Sequence, residues 1–572
     1  MCGILLHKRK DLNQNEFIKN LEKLNHRGPD GSNFFRFNNV YIGHTRLSII
    51  DLSSNGSQPM ISNCKNFILS FNGEIYNHNE IRSRLIDKKY TFKSQTDSEV
   101  ILSGFVEYGY KIFEMLDGIF SIIIYDIKED KIVIARDPFG IKPLYYSNEN
   151  DQILISSEIK VFKEYYKIDK KSKILFLSHG YIPSPYTSLQ NVFSLTPGSY
   201  AIVDDSKVKA TKYHEIKEYF KKNKNIKFNK KLLEKSVKKQ LMSDAKIGCF
   251  FSGGIDSSIL TIISNNIKKD IETYSINFDG FKDEKYFQDQ LINSYNLNNK
   301  KYNLKYKDFK ISIDDFLHTM DMPTIDGFNT FFVSKLARLN NAKVSFSGIG
   351  SDEIFYGYPT HRNLMILFYL QKIINFLPTT IFPNKYKKLD YLRINSNYGI
   401  YLSQRAIFSI PEISKILNLN INEVLNFLLD FIKIKEDNNY NLSLIDEVAY
   451  YELTCYMEGQ LLKDSDVFGM ANSIEIRVPF LDKYLVRNVL GVKGYSKIVS
   501  NLNKEILVDK YRKKLPPSIY KRNKRGFELP YENWLDKAGI KKDIIKKHSA
   551  KVNLKNAHWS KYWSLFILDK YY

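Results

Sequence analysis

The sequence predicts two domains of different class: an α+β first half built on antiparallel sheets and an α/β second half built on a mostly parallel sheet. Three observations carry this. With 572 residues, 43% of them apolar, the chain is long enough for at least two hydrophobic cores. Short β-rich runs separated by turn signals fill the first part, whereas strand, loop and helix alternate in the second. Between them "FKKNKNIKFNKK", from Phe220 to Lys231, is lysine-rich and apolar-poor, and reads as an exposed connection. The division is therefore 2–210, a connection 211–231, and 232–572.

In the first half "NFILSFNGEIYN" sets an apolar run against an Asn72-Gly73 turn. "GIFSIIIYD", "KIVIARD" and "ILISSEIK" read as strands, separated by "IKED" and "DPFGIKP" turns. Antiparallel pairing follows. Beyond the connection "KIGCFFSGGIDSSILTIISNN", "IETYSINFDG" and "AKVSFSGIGSDEIFYGY" supply the parallel sheet, whose ligands sit beyond the carboxyl ends of its strands.

Composition excludes several classes. The four cysteines, at 2, 64, 249 and 455, show neither paired spacing nor CxxC, so neither a disulfide framework nor a zinc site is expected, which fits a reducing cytoplasm. "LMILFYLQKIINFLPTTIF" is broken by Gln371, Lys372, Asn375 and Pro378, and reads as a buried or amphipathic helix without membrane insertion. The net charge of +22 comes from lysines spread along the chain with no nucleic-acid-binding signature, so no nucleic acid partner is expected.

Two stretches carry chemistry. In "FFSGGIDSS" the strand ends at Ser252-Gly253-Gly254, where backbone N–H groups approach an anion, and a helix starting near Asp256-Ser257-Ser258 aims its positive end at the same place. It is a phosphate cradle without the Walker lysine and without GxGxxG. The second stretch is the start of the chain. Once Met1 is trimmed, Cys2 carries a thiol nucleophile and an α-amine that serves as its base.

The SGGxDS loop resembles that of the PP-loop ATP pyrophosphatases, and "FSGIGSDE" resembles the partner loop of asparagine synthetases. "HRGPDG", "GHTRLSIIDL", "FNGEIYN", "TDSEV", "DGIFSIIIYD" and "ARDPFGIKPLYY" follow the order of class II glutamine amidotransferase domains. "MANSIEIRVPFLD" and "LPPSIYKRNKRGFELPYENWL" are similar to the synthetase domain of glutamine-hydrolysing asparagine synthetases. The resemblance covers nearly the whole chain. It implies an N-terminal-nucleophile αββα sandwich followed by a Rossmann-like PP-loop domain, with glutamine, ATP and a carboxylate acceptor as substrates, Mg²⁺ as cofactor, and a homodimer.

By the same resemblance Cys2 is the nucleophile, and Asn72 and Gly73 form the oxyanion hole. Arg46, with Leu47, Ser48, Ile49 and Ile50, lines the glutamine pocket and pairs with the α-carboxylate, while Asp97 and the Gly73-Glu74 segment hold the α-ammonium. Phe251, Ser252, Gly253, Gly254, Asp256, Ser257, Ser258, Ile276, Ser347 and Gly348 line the nucleotide site. Asp256 and Asp352 hold Mg²⁺, and Lys504, twelve residues before Pro516, is the catalytic lysine. Ammonia must cross between the sites through an apolar passage.

The sequence departs from the family at Ile349. Asparagine synthetases usually carry glutamate there, and an aliphatic side chain neither moves a proton nor pairs with an ammonium. The acceptor pocket is expected to include Asp326, Ile349 and Glu353, with Asp326 as a replacement carboxylate. Aspartate is then a poor acceptor unless Asp326 takes over, and a uronic-acid sugar of a cell-surface polysaccharide is the alternative. β-Lactam synthetases are further relatives, but these typically lose the cysteine. A non-catalytic basic binding protein on this scaffold is opposed by the intact Cys2, SGGIDSS and Lys504.

Overall fold

The computed structural model describes residues 2–149, 151–205, 207–220, 226–278, 285–376, 384–436, 440–498, 502–522 and 529–572. The first half is a sandwich of two six-stranded antiparallel sheets. One runs in the order Phe193–Ser194, Tyr145–Glu149, Gln152–Ser156, Gly3–Arg9, Val40–Arg46, Gly31–Phe37. The other runs Val208–Lys212, Ser199–Val203, Lys131–Arg136, Gly118–Asp126, Phe67–Ile75, Met60–Ile61.

The layering follows from strand alternation. Ile4, Leu6 and Ile42 of the first sheet meet Ile68, Ile123 and Ile134 of the second between the sheets. Helix Gln14–Glu22 covers the outer face of the first sheet with Phe17 and Leu21. Helices His78–Asp87 and Asp97–Tyr108 cover the second, where Ile81, Leu85, Val100 and Ile101 pack on Leu69, Ile122 and Ile124. Strand Gly118–Asp126 is apolar from Ile119 to Tyr125 except at Ser121, because both its faces are covered. The αββα expectation holds.

The second half carries a five-stranded sheet in the order Asn299–Leu304, Glu272–Phe278, Ile247–Phe250, Val344–Phe346, Glu475–Arg477, and all its pairs are parallel. Successive strands leave Ile247–Phe250 in opposite directions, so the strand ends there form a crevice at the switch point. One apolar cluster runs from Leu47, Ile49, Tyr76 and Ile141 of the first half into Phe251, Ile276, Phe346 and Phe468 of the second. The two halves therefore share a core.

Three sequence readings change. Asn72-Gly73 is not a turn: both residues lie inside strand Phe67–Ile75, opposite Ser121 and Phe120, because sheet pairing overrides the local Asn-Gly signal. The connection is not exposed throughout. Strand Val208–Lys212 continues into it, and Ile216, Phe220 and Phe228 are buried in the shared core as apolar anchors, while 221–225 lies outside the described residues. Helix Leu364–Ile373 buries Leu364 and Gln371 but exposes Ile366, Tyr369 and Ile373, so much of its apolar surface faces outward. Among the described residues no helix is long and apolar enough to cross a membrane.

Ile123 has no solvent exposure and packs between the two sheets. Ile123→Ala should cost about 2–5 kcal/mol, read as a lowered melting temperature in calorimetry.

Candidate active sites

Cys2 immediately precedes the central strand Gly3–Arg9, and its backbone N–H donates to Asn72 Oδ1 at 2.9 Å. Asn72 reaches it because alternation along Phe67–Ile75 turns Ser70, Asn72 and Glu74 away from the face carrying Leu69, Phe71 and Ile75. Ser70 likewise crosses to the other sheet and donates to the Gly43 carbonyl at 2.9 Å. From the other side the buried Arg27 Nε donates to the Cys2 carbonyl at 3.1 Å. Gly73 has φ +154°, and a Cβ there would lie 2.0 Å from the Ile119 carbonyl oxygen, so only glycine fits.

A pocket lined by Cys2, Arg46, Leu47, Ser48, Ile49, Ile50, Gly73, Glu74 and Asp97 gathers the predicted residues, with Asn72 directly behind. Arg46 donates to the carbonyls of Ser53 and Asp51 at 2.6 and 2.5 Å, closing the loop that follows its strand. Asp97 opens helix Asp97–Tyr108 and accepts from the Ile75 N–H at 2.9 Å. Burial opposes ionisation of the Cys2 thiol, but the His44 imidazole beside it, the positive charge of the chain's terminal amine and the Leu47 backbone together outweigh this, bringing the thiol down to about 6. Burial pushes Cys249 up to about 12, so ionisation at neutral pH distinguishes Cys2 from that buried cysteine.

The second pocket is a cavity of about 620 Å³ at the carboxyl ends of the parallel strands. Phe251, Ser252, Gly254, Asp256, Ser257, Ile276, Ser347, Gly348, Ile349, Asp352, Glu353, Asp326 and Lys504 all line it. Gly253, with φ +78°, turns the chain into helix Ile255–Ile267 without lining the cavity. Ser258 is buried in that helix, off the cavity wall. Lys504 Nζ is buried between two carboxylates, 2.6 Å from Asp256 Oδ2 and 2.8 Å from Asp352 Oδ1. Ser351 Oγ adds a bond to Asp256 Oδ1 at 2.6 Å. Burial alone would lower the lysine's pKa, but the two aspartates reverse this and hold it charged.

Among the described residues no group of three or more His, Cys, Asp or Glu side chains gathers as a metal site. The Asp256–Asp352 pair nonetheless suits Mg²⁺, which is commonly bound by one or two carboxylates together with substrate phosphates and water.

At the far end of the cavity Arg405 lies 4.3 Å from the Tyr358 ring and 4.1 Å from the Tyr456 ring, and pairs with Glu452 through two bonds of 2.9 and 2.7 Å. Glu353 accepts from Tyr358 Oη at 2.6 Å, and Asp326 Oδ1 accepts from the Gly327 N–H at 2.8 Å. Sequence reasoning missed these aromatic walls, and also Gln58 and Ser98 of the Cys2 pocket and His44 beside the thiol. His44 stands in the quoted "GHTRLSIIDL", two residues before Arg46, where strand alternation would have turned it to the same face. Arg522 in "SIYKRNKRGF" also lines the cavity and donates to the Gly253 carbonyl at 3.3 Å, whereas 523–528 lies outside the described residues.

Residues 1–214 match the glutamine amidotransferase domain model, and residues 229–561 match the asparagine synthase model. Asparagine synthetase [glutamine-hydrolyzing] 1 of Bacillus subtilis is 30% identical over 91% of this chain and 85% of its own length. A putative asparagine synthetase [glutamine-hydrolyzing] 2 of Methanocaldococcus jannaschii is 33% identical over 66% of this chain and 79% of its own.

The lowered thiol pKa has a direct readout. As pH rises through about 6 the thiol becomes thiolate, so the Cys2-dependent rate of iodoacetamide alkylation should climb and then level off. The rate is taken as the difference between wild type and Cys2→Ala. A midpoint near that of an ordinary thiol, about 8.5, would contradict the electrostatic account.

Proposed function

The chain belongs to the asparagine synthase family, and from that premise we propose that it is a glutamine- and ATP-dependent amidotransferase working through two pockets. One observation carries this reading. A single chain combines an ionisable Cys2 held on Asn72 with a glycine-rich helix start facing Asp256, Asp352 and a buried Lys504.

In the first pocket the Cys2 thiolate attacks the side-chain amide carbon of glutamine. The amide of Asn72 and the N–H of Gly73 stabilise the tetrahedral oxyanion. Its collapse expels ammonia, with the proton delivered by the Cys2 α-amine, and water then hydrolyses the thioester to glutamate. Arg46 pairs with the α-carboxylate of glutamine, and Glu74 and Asp97 receive its α-ammonium.

In the second pocket the acceptor carboxylate attacks the α-phosphorus of ATP, pyrophosphate leaves, and ammonia displaces AMP from the acyl adenylate. Phe251, Ile276, Ser347 and Gly348 flank the nucleotide, and the Ser252–Ser258 segment receives its phosphates. Lys504 balances the charge that develops as pyrophosphate departs. Asp256 and Asp352 would hold Mg²⁺, which supplies positive charge against the phosphate oxygens. Ammonia would cross between the pockets within the shared apolar cluster, away from the bulk water that would protonate it.

With aspartate as acceptor the product is asparagine, and Asp326 and Glu353 are the carboxylates available to its ammonium. A second reading, a uronic-acid sugar, is favoured by the cavity wall. Ile349 occupies the loop beside Gly348, and Tyr358, Tyr401 and Tyr456 present ring surface.

Cys2→Ala should abolish glutamine hydrolysis while ammonia-dependent synthesis persists; loss of both in a folded protein counts against two separate sites. Pyrophosphate release with ammonia as nitrogen donor separates the acceptors. Aspartate-dependent release that is lost in Asp326→Ala establishes the first reading. Release with glucuronate and none with aspartate establishes the second.

A further inference from the structure

Glu74 lines the Cys2 pocket at 3% exposure, and its two carboxylate oxygens have different fates. Oε2 accepts from Arg477 Nη2 at 2.9 Å, whereas the buried Oε1 has no hydrogen-bond partner. Arg477 belongs to the other domain, at the end of the edge strand Glu475–Arg477 of the parallel sheet.

The guanidinium has little freedom. Nε donates to Glu475 Oε1 at 2.5 Å, and Nη1 donates to the carbonyls of Gln240 and Met242 at 2.5 and 2.6 Å, at the end of helix Lys230–Gln240. A cation at a helix C-terminus is well placed. With its other arms fixed, Nη2 can point only at Glu74. Burial, and Asp97 after it, hold the Glu74 carboxyl well above the usual carboxylate range, and the Arg477 guanidinium opposes them without reversing the shift. Arg477 and an arriving ammonium act together to favour the carboxylate, and loss of the guanidinium would leave the ammonium alone to draw off the proton. The backbone carbonyl of Arg477 meanwhile accepts from the Ser347 N–H at 2.9 Å, at the start of the loop that lines the nucleotide cavity.

We propose that Arg477 is a positioning residue of the glutamine pocket: it holds the Glu74 carboxylate toward the α-ammonium of glutamine, so that glutamine recognition is completed by the synthetase domain. This rests on the reading of the Cys2 pocket as a glutaminase.

The test uses the full chain, with Arg477→Lys as the first variant, because it keeps the charge but loses the fork that grips Glu74, Glu475 and the helix end together. Glutamine is compared with glutaramate, which is glutamine without its α-amino group. Arg477→Lys should raise the KM for glutamine by about tenfold or more with kcat changed less than about threefold, and should shrink the preference for glutamine over glutaramate by a similar factor. Ammonia-dependent synthesis reports whether the synthetase domain remains intact, and should stay within about twofold of wild type.

Glu475→Gln, which loosens one arm of the clamp and leaves the guanidinium in place, should move the same ratio in the same direction, and decides the matter if Arg477→Lys does not fold. An unchanged glutamine-to-glutaramate preference in a folded variant overturns the proposal. So does a loss of ammonia-dependent synthesis in proportion to the loss with glutamine, since Arg477 would then only join the domains. Wild type that hydrolyses neither donor sinks the glutaminase reading itself, and the proposal with it.

Discussion

The Arg27 guanidinium is the contact on which both halves depend. It has no solvent exposure, donates to the Cys2 carbonyl at 3.1 Å, and pairs with Glu158 of its own domain at 2.8 Å and Asp466 of the other at 2.7 Å. A buried charge persists only when fully partnered, and removing one partner typically costs about 3–5 kcal/mol. Displacing the second domain would strand Arg27 without Asp466, and likewise Arg136, which reaches Glu458 at 2.9 Å. The Arg27 guanidinium also holds the backbone of Cys2, so one side chain serves both the domain contact and the nucleophile. Domain docking and placement of the nucleophile thus meet at Arg27.

The loop after Arg46 extends this dependence. Asp244 accepts from the Asp51 N–H at 2.9 Å, its own N–H donates to the Ile49 carbonyl at 2.9 Å, and Lys343 reaches Asp30 at 2.6 Å, which in turn accepts from the Ser48 N–H at 2.7 Å. Ser48, Ile49 and Ile50 line the Cys2 pocket, so one wall of it is fastened to the second domain.

What could be read in the sequence was whatever is encoded locally. Ser252-Gly253-Gly254 before a helix announces its chemistry within a few residues, and the alternation of apolar strands gave the two sheet types. Asn72-Gly73 misled because the same dipeptide serves a hairpin or a strand interior, and only the partner strand Gly118–Asp126 decides between them. Arg477 was invisible for a related reason. It stands in the quoted "EIRVPFLD", but its role depends on Glu74, 403 positions away, and no periodicity links the two. Lys504 could be chosen among many lysines only through the resemblance, and its burial between Asp256 and Asp352 is a tertiary fact. Helix Leu364–Ile373, read as buried or amphipathic, exposes Ile366, Tyr369 and Ile373, an apolar outer face that inverts the usual pattern.

The apolar cluster that crosses the domain boundary has a thermodynamic corollary. Two domains with separate cores melt separately, and a ligand steadies only the one that binds it. Here Leu47, Tyr76 and Ile141 belong to the same apolar cluster as Phe251, Ile276 and Phe346. Mass action then applies to the whole: a compound that occupies the nucleotide cavity alone steadies the distant sandwich too, by RT ln(1 + [L]/Kd). Heat would meet a single cooperative body, and either substrate would act as a stabiliser of the other's site.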